Sequence, residues 1–137
     1  MKNKLLLAGS IIINDKSEVL LLHRNAPNRI QWETPGGKVE DEETPEECTL
    51  RESKEELGVD VKIIKKLGQR EFKEDQYEMV YIWFLVKILE GNPKAIEDKH
   101  DDLCYWSWQD LKNKQDLSPN TQNLVNAYFK NELNIEG

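Results

Sequence analysis

Cysteine and histidine are scarce here: Cys48, Cys104, His23 and His100 are the only four in 137 residues. Two distant cysteines cannot build a disulfide framework, and the four together fit no zinc-ligand spacing. Any metal the chain uses is therefore to be sought among oxygen ligands. Long apolar runs are lacking too. Near the start, Leu5 to Ile13 is broken by Gly9 and Ser10 and falls far short of the roughly 20 residues of a bilayer span. No small-residue cleavage site follows it, so it does not read as a signal peptide. Positive charge is in the minority, with 19 Lys and Arg against 26 Asp and Glu and a net charge of −7. No basic track exists along which a polyanion could be bound. The expectation is a soluble protein of a reducing compartment, cytoplasmic, with neither nucleic acid nor membrane as partner.

What is present suffices for a core. At 38% hydrophobic and 33% charged the chain is polar, yet well clear of disorder, and its length suits one domain spanning 1–137. Leu5–Asn14 and Val19–Arg24 read as strands separated by the turn cluster Asn14-Asp15-Lys16-Ser17, which suggests a hairpin. Asn25–Ile30 reads as loop, and Pro35-Gly36-Gly37 as a turn. Thr44, Pro45 and Glu47 form a capping box that opens a helix over about Pro45–Leu57, with Gly58 as its stop. Val61–Leu67, Gln69–Phe72 and Met79–Leu89 follow as strands. Glu97–Asp102 reads as a solvated acidic loop that includes His100, and Cys104–Trp108 as an aromatic strand. The last helix runs from about Ser118 to Lys130, with Leu124, Val125, Tyr128 and Phe129 as its apolar side. Strands interleaved with two helices predict a layered α/β domain, a mixed sheet between helices.

At 100° per residue, Glu52, Glu55 and Glu56 share one arc of the first helix, with Leu50, Ser53 and Leu57 opposite. Like charges at these spacings cost about 0.2–0.5 kcal/mol per pair, so something positive should offset them. Carboxylates on a rigid helix suit Mg²⁺ or Mn²⁺, ions that prefer a few carboxylates plus substrate phosphates. Arg51 lies one turn before Glu55 and can orient it. Gly36-Gly37-Lys38 brings pliant backbone and a cation to where phosphate oxygens could be met. On the helix wheel Cys48 falls on the carboxylate side, with no histidine to activate it, and reads as packing.

From Gly37 the pattern is Gly, five residues, Glu43, seven residues, then Arg51-Glu52-Ser53-Lys54-Glu55-Glu56-Leu57-Gly58-Val59. This resembles the Nudix box over residues 37–59, with every fixed position in place and Ser53 where an aliphatic residue is usual. The resemblance implies an α/β/α sandwich that hydrolyses a nucleoside diphosphate linked to another moiety. Glu52, Glu55 and Glu56 would bind the dication, Mg²⁺ or Mn²⁺, and Arg51 and Glu43 would support the site. Glu52 is the first candidate for the general base, and Glu52, Glu55 and Arg51 form the expected catalytic group.

Within the family, Arg24–Gly58 looks most like the MutT-type nucleoside triphosphate diphosphatases. That likeness implies phosphate contacts from Arg24 and Lys38, base recognition by Asn120 and a further metal carboxylate at Glu97. Trp32 as a wall and Glu33 as a sugar or metal contact complete the expected substrate set, and a homodimer is common in the family. Triphosphate hydrolysis to a monophosphate and pyrophosphate is the favoured activity. ADP-ribose or another NDP-linked compound is the alternative, disfavoured by the absence of proline near Glu74. RNA 5′ pyrophosphohydrolysis and a non-catalytic nucleotide-binding module rank lower.

Overall fold

Val19, Leu20, Leu21 and Leu22 are all fully buried, and because strand side chains alternate between faces, this run must have core on both sides. In the computed structural model, which describes residues 3–135, it does. Leu20 and Leu22 join Cys48, Leu57 and Phe84 in one cluster, while Val19 and Leu21 join Trp83, Leu111 and Leu124 in the other. The elements in chain order are β1 Asn3–Ile11, β2 Glu18–Ala26, β3 Arg29–Glu33, β4 Gly36–Lys38, α1 Pro45–Leu57, β5 Asp60–Glu74, β6 Tyr77–Glu90, β7 His100–Ser107, α2 Trp108–Lys112 and α3 Pro119–Phe129. They form a mixed four-stranded sheet, β4-β1-β6-β5, with β1 parallel to β6, and an antiparallel three-stranded sheet, β3-β2-β7. The first helix covers one cluster and the last two cover the other.

Several local expectations are corrected. β1 and β2 turn back at Asn14–Ser17, but their pairing ends after the Ile13–Val19 bridge and they enter different sheets. A parallel partner, β6, takes the length of β1 instead. The supposed loop Asn25–Ile30 is a tight hairpin, with Ala26 paired to Arg29 and only Pro27-Asn28 at its tip. Val61–Leu67 and Gln69–Phe72 are one strand whose register shifts between Lys66 and Gly68. β7 begins at His100 rather than Cys104, and Trp108 opens α2. At the end of α3, Tyr128 stacks on Trp108 with ring centroids 4.1 Å apart, whereas Phe129 is turned outward.

Ser53, the departure from the aliphatic pattern, is buried and fully hydrogen-bonded. Its Oγ lies 2.6 Å from Ser10 Oγ and donates to Thr49 O at 2.8 Å, so a buried hydroxyl pair ties α1 to β1. Removing one hydroxyl strands the other in a dry place. S53A should therefore lower stability by about 1 kcal/mol, and S10A/S53A should cost less than the two single changes summed. Urea unfolding midpoints of the four proteins check this.

Candidate active site

The phase of α1 is set at both ends. Thr44 Oγ1 accepts from Glu47 N at 3.0 Å while Glu47 Oε1 accepts from Thr44 N at 2.9 Å. At the other end Gly58 adopts φ 72°, a left-handed cap that glycine takes without strain, and its N–H donates to Lys54 O at 3.0 Å. Between these caps one guanidinium gathers the acids. Arg51 donates through Nε and Nη2 to both oxygens of Glu43, at 2.7 and 3.0 Å, and through Nη1 to Glu52 and Glu55, each at 3.2 Å. Nη2 also reaches Lys38 O at 3.1 Å, tying the helix to β4. The Arg51 hydrogen bonds hold the Glu43 carboxyl down at about 2, and Glu43 in turn raises Arg51.

The three glutamates Glu52, Glu55 and Glu56 do not form one solvated stripe. Glu55 is exposed and Glu52 half-buried, but Glu56 is only 1% exposed and Leu50 is 41% exposed. The buried face of α1 is centred on Ser53 and Glu56, and a helix wheel cannot say which arc the sheets will cover. Glu56 Oε1 accepts from Gly36 N at 2.7 Å, and Oε2 lies 3.6 Å from Lys99 Nζ. Burial, aided by the Glu52 charge, pushes the Glu56 carboxyl up to about 8. Burial raises Glu52 too, with Arg51 opposing and Glu55 adding to it. A side chain at position 37 would run into the Glu52 carboxylate, so Gly37 is what lets that group lie against β4.

Opposite stands a second polar group that the sequence left scattered. Arg24 Nε and Nη2 each donate at 2.8 Å to Glu33, Gln31 Nε2 donates at 2.9 Å, and His100 Nε2 lies 2.9 Å from Glu33 Oε2. Burial works against charge on Glu33, yet the hydrogen bonds from His100, Arg24 and Gln31 hold it at about 2. His100, expected in a solvated loop, is therefore a buried member of this network, brought there by its pairing with Arg24 across β2 and β7. Only that register reveals it. Lys99 was likewise unforeseen: its Nζ sits against Glu56 and, at 3.4 Å, against Glu97 Oε1.

A cavity of about 270 Å³ brings Arg24, Glu33, Gly36, Gly37, Lys38 and Glu52 to one space, with Lys99 and Asn120 also on its wall. Asn120 is nearly buried, its Oδ1 accepting from Trp83 Nε1 at 2.8 Å and its Nδ2 donating to Thr34 Oγ1 at 3.0 Å. One N–H and one lone pair of its amide are left over. Trp32 is not on the wall. Alternation along β3 sends Gln31 and Glu33 to the cavity and Trp32 into the core against Trp106, at 5.2 Å between centroids.

The donors fit a hard dication. Glu52, Glu55, Glu56 and Glu97 offer oxygen only, and Glu56 is a deep carboxylate with the Lys99 ammonium 3.6 Å away. Glu97 Oε1 is buried and accepts no hydrogen bond, facing Lys99 Nζ across a long contact.

A family model described as the NUDIX domain matches residues 4–128. The chain belongs to the Nudix family. Among curated Nudix relatives, an 8-oxo-dGTP diphosphatase of Escherichia coli (strain K12) is 30% identical over 127 residues, covering 89% of this chain and 94% of that protein. Another, from Proteus vulgaris, is 44% identical over 62 residues, which span 44% of this chain and 55% of the relative. An ADP-ribose pyrophosphatase of Methanocaldococcus jannaschii is 29% identical over 122 residues, 88% of this chain and 70% of that one. In three dimensions a MutT NUDIX hydrolase from Burkholderia pseudomallei matches with TM-score 0.81 and 28% identity over 91% of this chain and 98% of that one. A MutT protein from Methanosarcina mazei Go1 shares the fold, with TM-score 0.85 at 24% identity over 95% and 96% of the two chains. The chain is thus a MutT-like Nudix pyrophosphohydrolase by family.

The raised Glu56 carboxyl makes a stability prediction for the metal-free protein. Folded Glu56 keeps its proton up to about pH 8, whereas the unfolded chain releases it near the ordinary 4.5. Between those values the folded state binds more protons, so stability falls as pH rises and levels off above 8. Glu33 and Glu43, held near 2, act only below 4.5. E56Q, which can still accept from Gly36, should flatten the slope and raise the melting temperature at pH 9 by at least ~3 °C. Thermal unfolding in chelator at pH 6 and pH 9 checks it.

Proposed function

We propose that this Nudix chain hydrolyses nucleoside triphosphates to a monophosphate and pyrophosphate in the presence of Mg²⁺ or Mn²⁺. The observation that carries the reading is the cavity itself, where Arg24 and Lys38 stand beside the Gly36-Gly37 backbone and face Glu52. Cations and free backbone on one side with carboxylates on the other fit a polyphosphate, with the carboxylates as the groups that would hold a dication. When bound, a dication would supply neutralisation of the charge that grows on the phosphate oxygens. Glu52, Glu55, Glu56 and Glu97 would hold it, and Arg51 keeps the first two aligned while Glu43 braces Arg51. Arg24 spends two of its N–H groups on Glu33 and turns the remainder to phosphate; Lys38 adds a mobile charge at the mouth.

Glu52, half-buried and raised in proton affinity, takes the proton of the attacking water as general base. Glu33 sets the angle of Arg24 through its two-point bond. Asn120 offers its spare amide edge to the base, a reading supported by the 8-oxo-dGTP diphosphatase names of relatives. The ADP-ribose pyrophosphatase name carried by a relative of similar identity supports a second reading, hydrolysis of an NDP-linked compound. The partner is a small nucleotide, in a single domain that works in the cytoplasm without membrane or nucleic acid, alone or as a homodimer. No helix among the described residues is long and apolar enough to cross a membrane.

Two measurements test this. E55Q and E56Q should each lower kcat/KM for the best triphosphate by at least ~100-fold, about 2.7 kcal/mol of transition-state stabilisation; unchanged turnover would remove these residues from the site. Chromatography of the products from a panel of triphosphates, dinucleoside polyphosphates and nucleotide sugars should show pyrophosphate as the preferred co-product. Faster release of AMP and ribose 5-phosphate from ADP-ribose would overturn the substrate choice.

A further inference from the structure

His100 carries a ring nitrogen without a partner in a place closed to water. Its side chain has 0% exposure, and Nδ1 makes no hydrogen bond among the described residues. The other nitrogen, Nε2, lies 2.9 Å from Glu33 Oε2. An ionised carboxylate only accepts, so Nε2 carries the hydrogen, which leaves Nδ1 as the nitrogen whose lone pair a metal ion could take. Near this ring are two carboxylates of different provenance: Glu56 from α1 and Glu97 from the loop before β7. One ligand atom from each of Glu56, Glu97 and His100 lies within 4.8 Å of the others.

Three electron-rich groups this close, two of them carboxylates, repel unless a cation lies among them. Lys99 already places an ammonium against both carboxylates, at 3.6 and 3.4 Å, from a partly exposed side chain that a dication would displace. Adjacent donors of a dication bound at 2.0–2.2 Å are about 3–3.5 Å apart, so the three groups, within 4.8 Å of one another, reach one ion by drawing together by no more than about 2 Å. The Glu33–His100 bond completes a familiar logic, in which the far N–H of a metal-binding imidazole donates to a carboxylate that fixes the tautomer and aims the ring.

We propose that Glu56, Glu97 and His100 form a mixed oxygen and nitrogen site for a borderline transition dication such as Mn²⁺, Co²⁺ or Zn²⁺, with Nδ1 of His100 as the nitrogen ligand. The proposal deepens the hydrolase reading and rests on it in sharing Glu56 and Glu97. It would add a nitrogen ligand to the oxygen ligands expected from the scarcity of histidine. Mg²⁺ gains little from an imidazole, whereas the transition dications bind it readily. The chain would then discriminate between metals through a residue outside the box, and Glu33 would serve both Arg24 and the metal-binding histidine.

The test uses Mn²⁺ alone with the full chain. Pulsed electron paramagnetic resonance should show ¹⁴N coupling from a histidine in the wild type. With only two histidines in the sequence, H23Q should keep the coupling and H100Q should lose it. By calorimetry, H100Q should weaken Mn²⁺ by at least ~10-fold and change Mg²⁺ by less than ~3-fold. Bound Mn²⁺ without nitrogen coupling in the wild type, coupling that survives H100Q, or equal weakening of both ions would overturn the site. The wild-type spectrum stands even if H100Q folds poorly. Triphosphate hydrolysis with Mg²⁺ but no nitrogen coupling would sink this inference and leave the activity. Nitrogen coupling lost in H100Q, in a protein that hydrolyses no nucleotide, would sustain the site and remove the activity.

Discussion

Arg51 is the interaction on which the site depends. A helix that carries glutamates at positions 52, 55 and 56, with a fourth at 43 folded against it, is a concentration of negative charge that would push its own turns apart. The guanidinium answers this with a two-point bond to Glu43, single bonds to Glu52 and Glu55, and another to the Lys38 carbonyl. A lysine could satisfy the charge but not these directions at once, since its ammonium lacks the planar fork. The same contacts press α1 onto β4, which puts Gly36 N–H on Glu56 and Gly37 beside Glu52. Charge compensation and the docking of the helix are a single event.

Arg51 does not reach Glu56, and that difference divides the acids by role. Where the guanidinium bonds directly, at Glu43, the carboxyl stays firmly ionised. Where it is absent and the protein closes over the group, the proton affinity climbs to about 8. A deep carboxylate of this kind is poor for the stability of the empty protein and good for capturing a cation, since binding removes the strain that burial creates. In the proposed reading, this local instability is the counterpart of metal capture.

The second polar group, around Glu33, has the opposite character. Arg24, Gln31 and His100 converge on one carboxylate and keep it charged in spite of burial. It belongs to the three-stranded sheet, whereas Gly36-Gly37 and Lys38 come from the edge of the four-stranded one. The cavity therefore lies where the two sheets meet, and a ligand spanning it would touch both.

The sequence alone determined what local rules can carry. The limits of α1 followed from Thr44, Pro45, Glu47 and Gly58, because capping is decided by residues a turn apart, and the box pattern from Gly37 to Val59 pointed to the family. It also made Ser53 visible as a departure, although not its bond to Ser10, forty-three residues away. Tertiary structure alone decided which arc of α1 was covered, and so buried Glu56 and exposed Leu50. It separated β1 from β2, turned Trp32 inward, and aligned His100 with Arg24. These depend on how elements dock in three dimensions, and for His100 on the register of β7 against β2, where a one-residue shift reverses which side chains face the site.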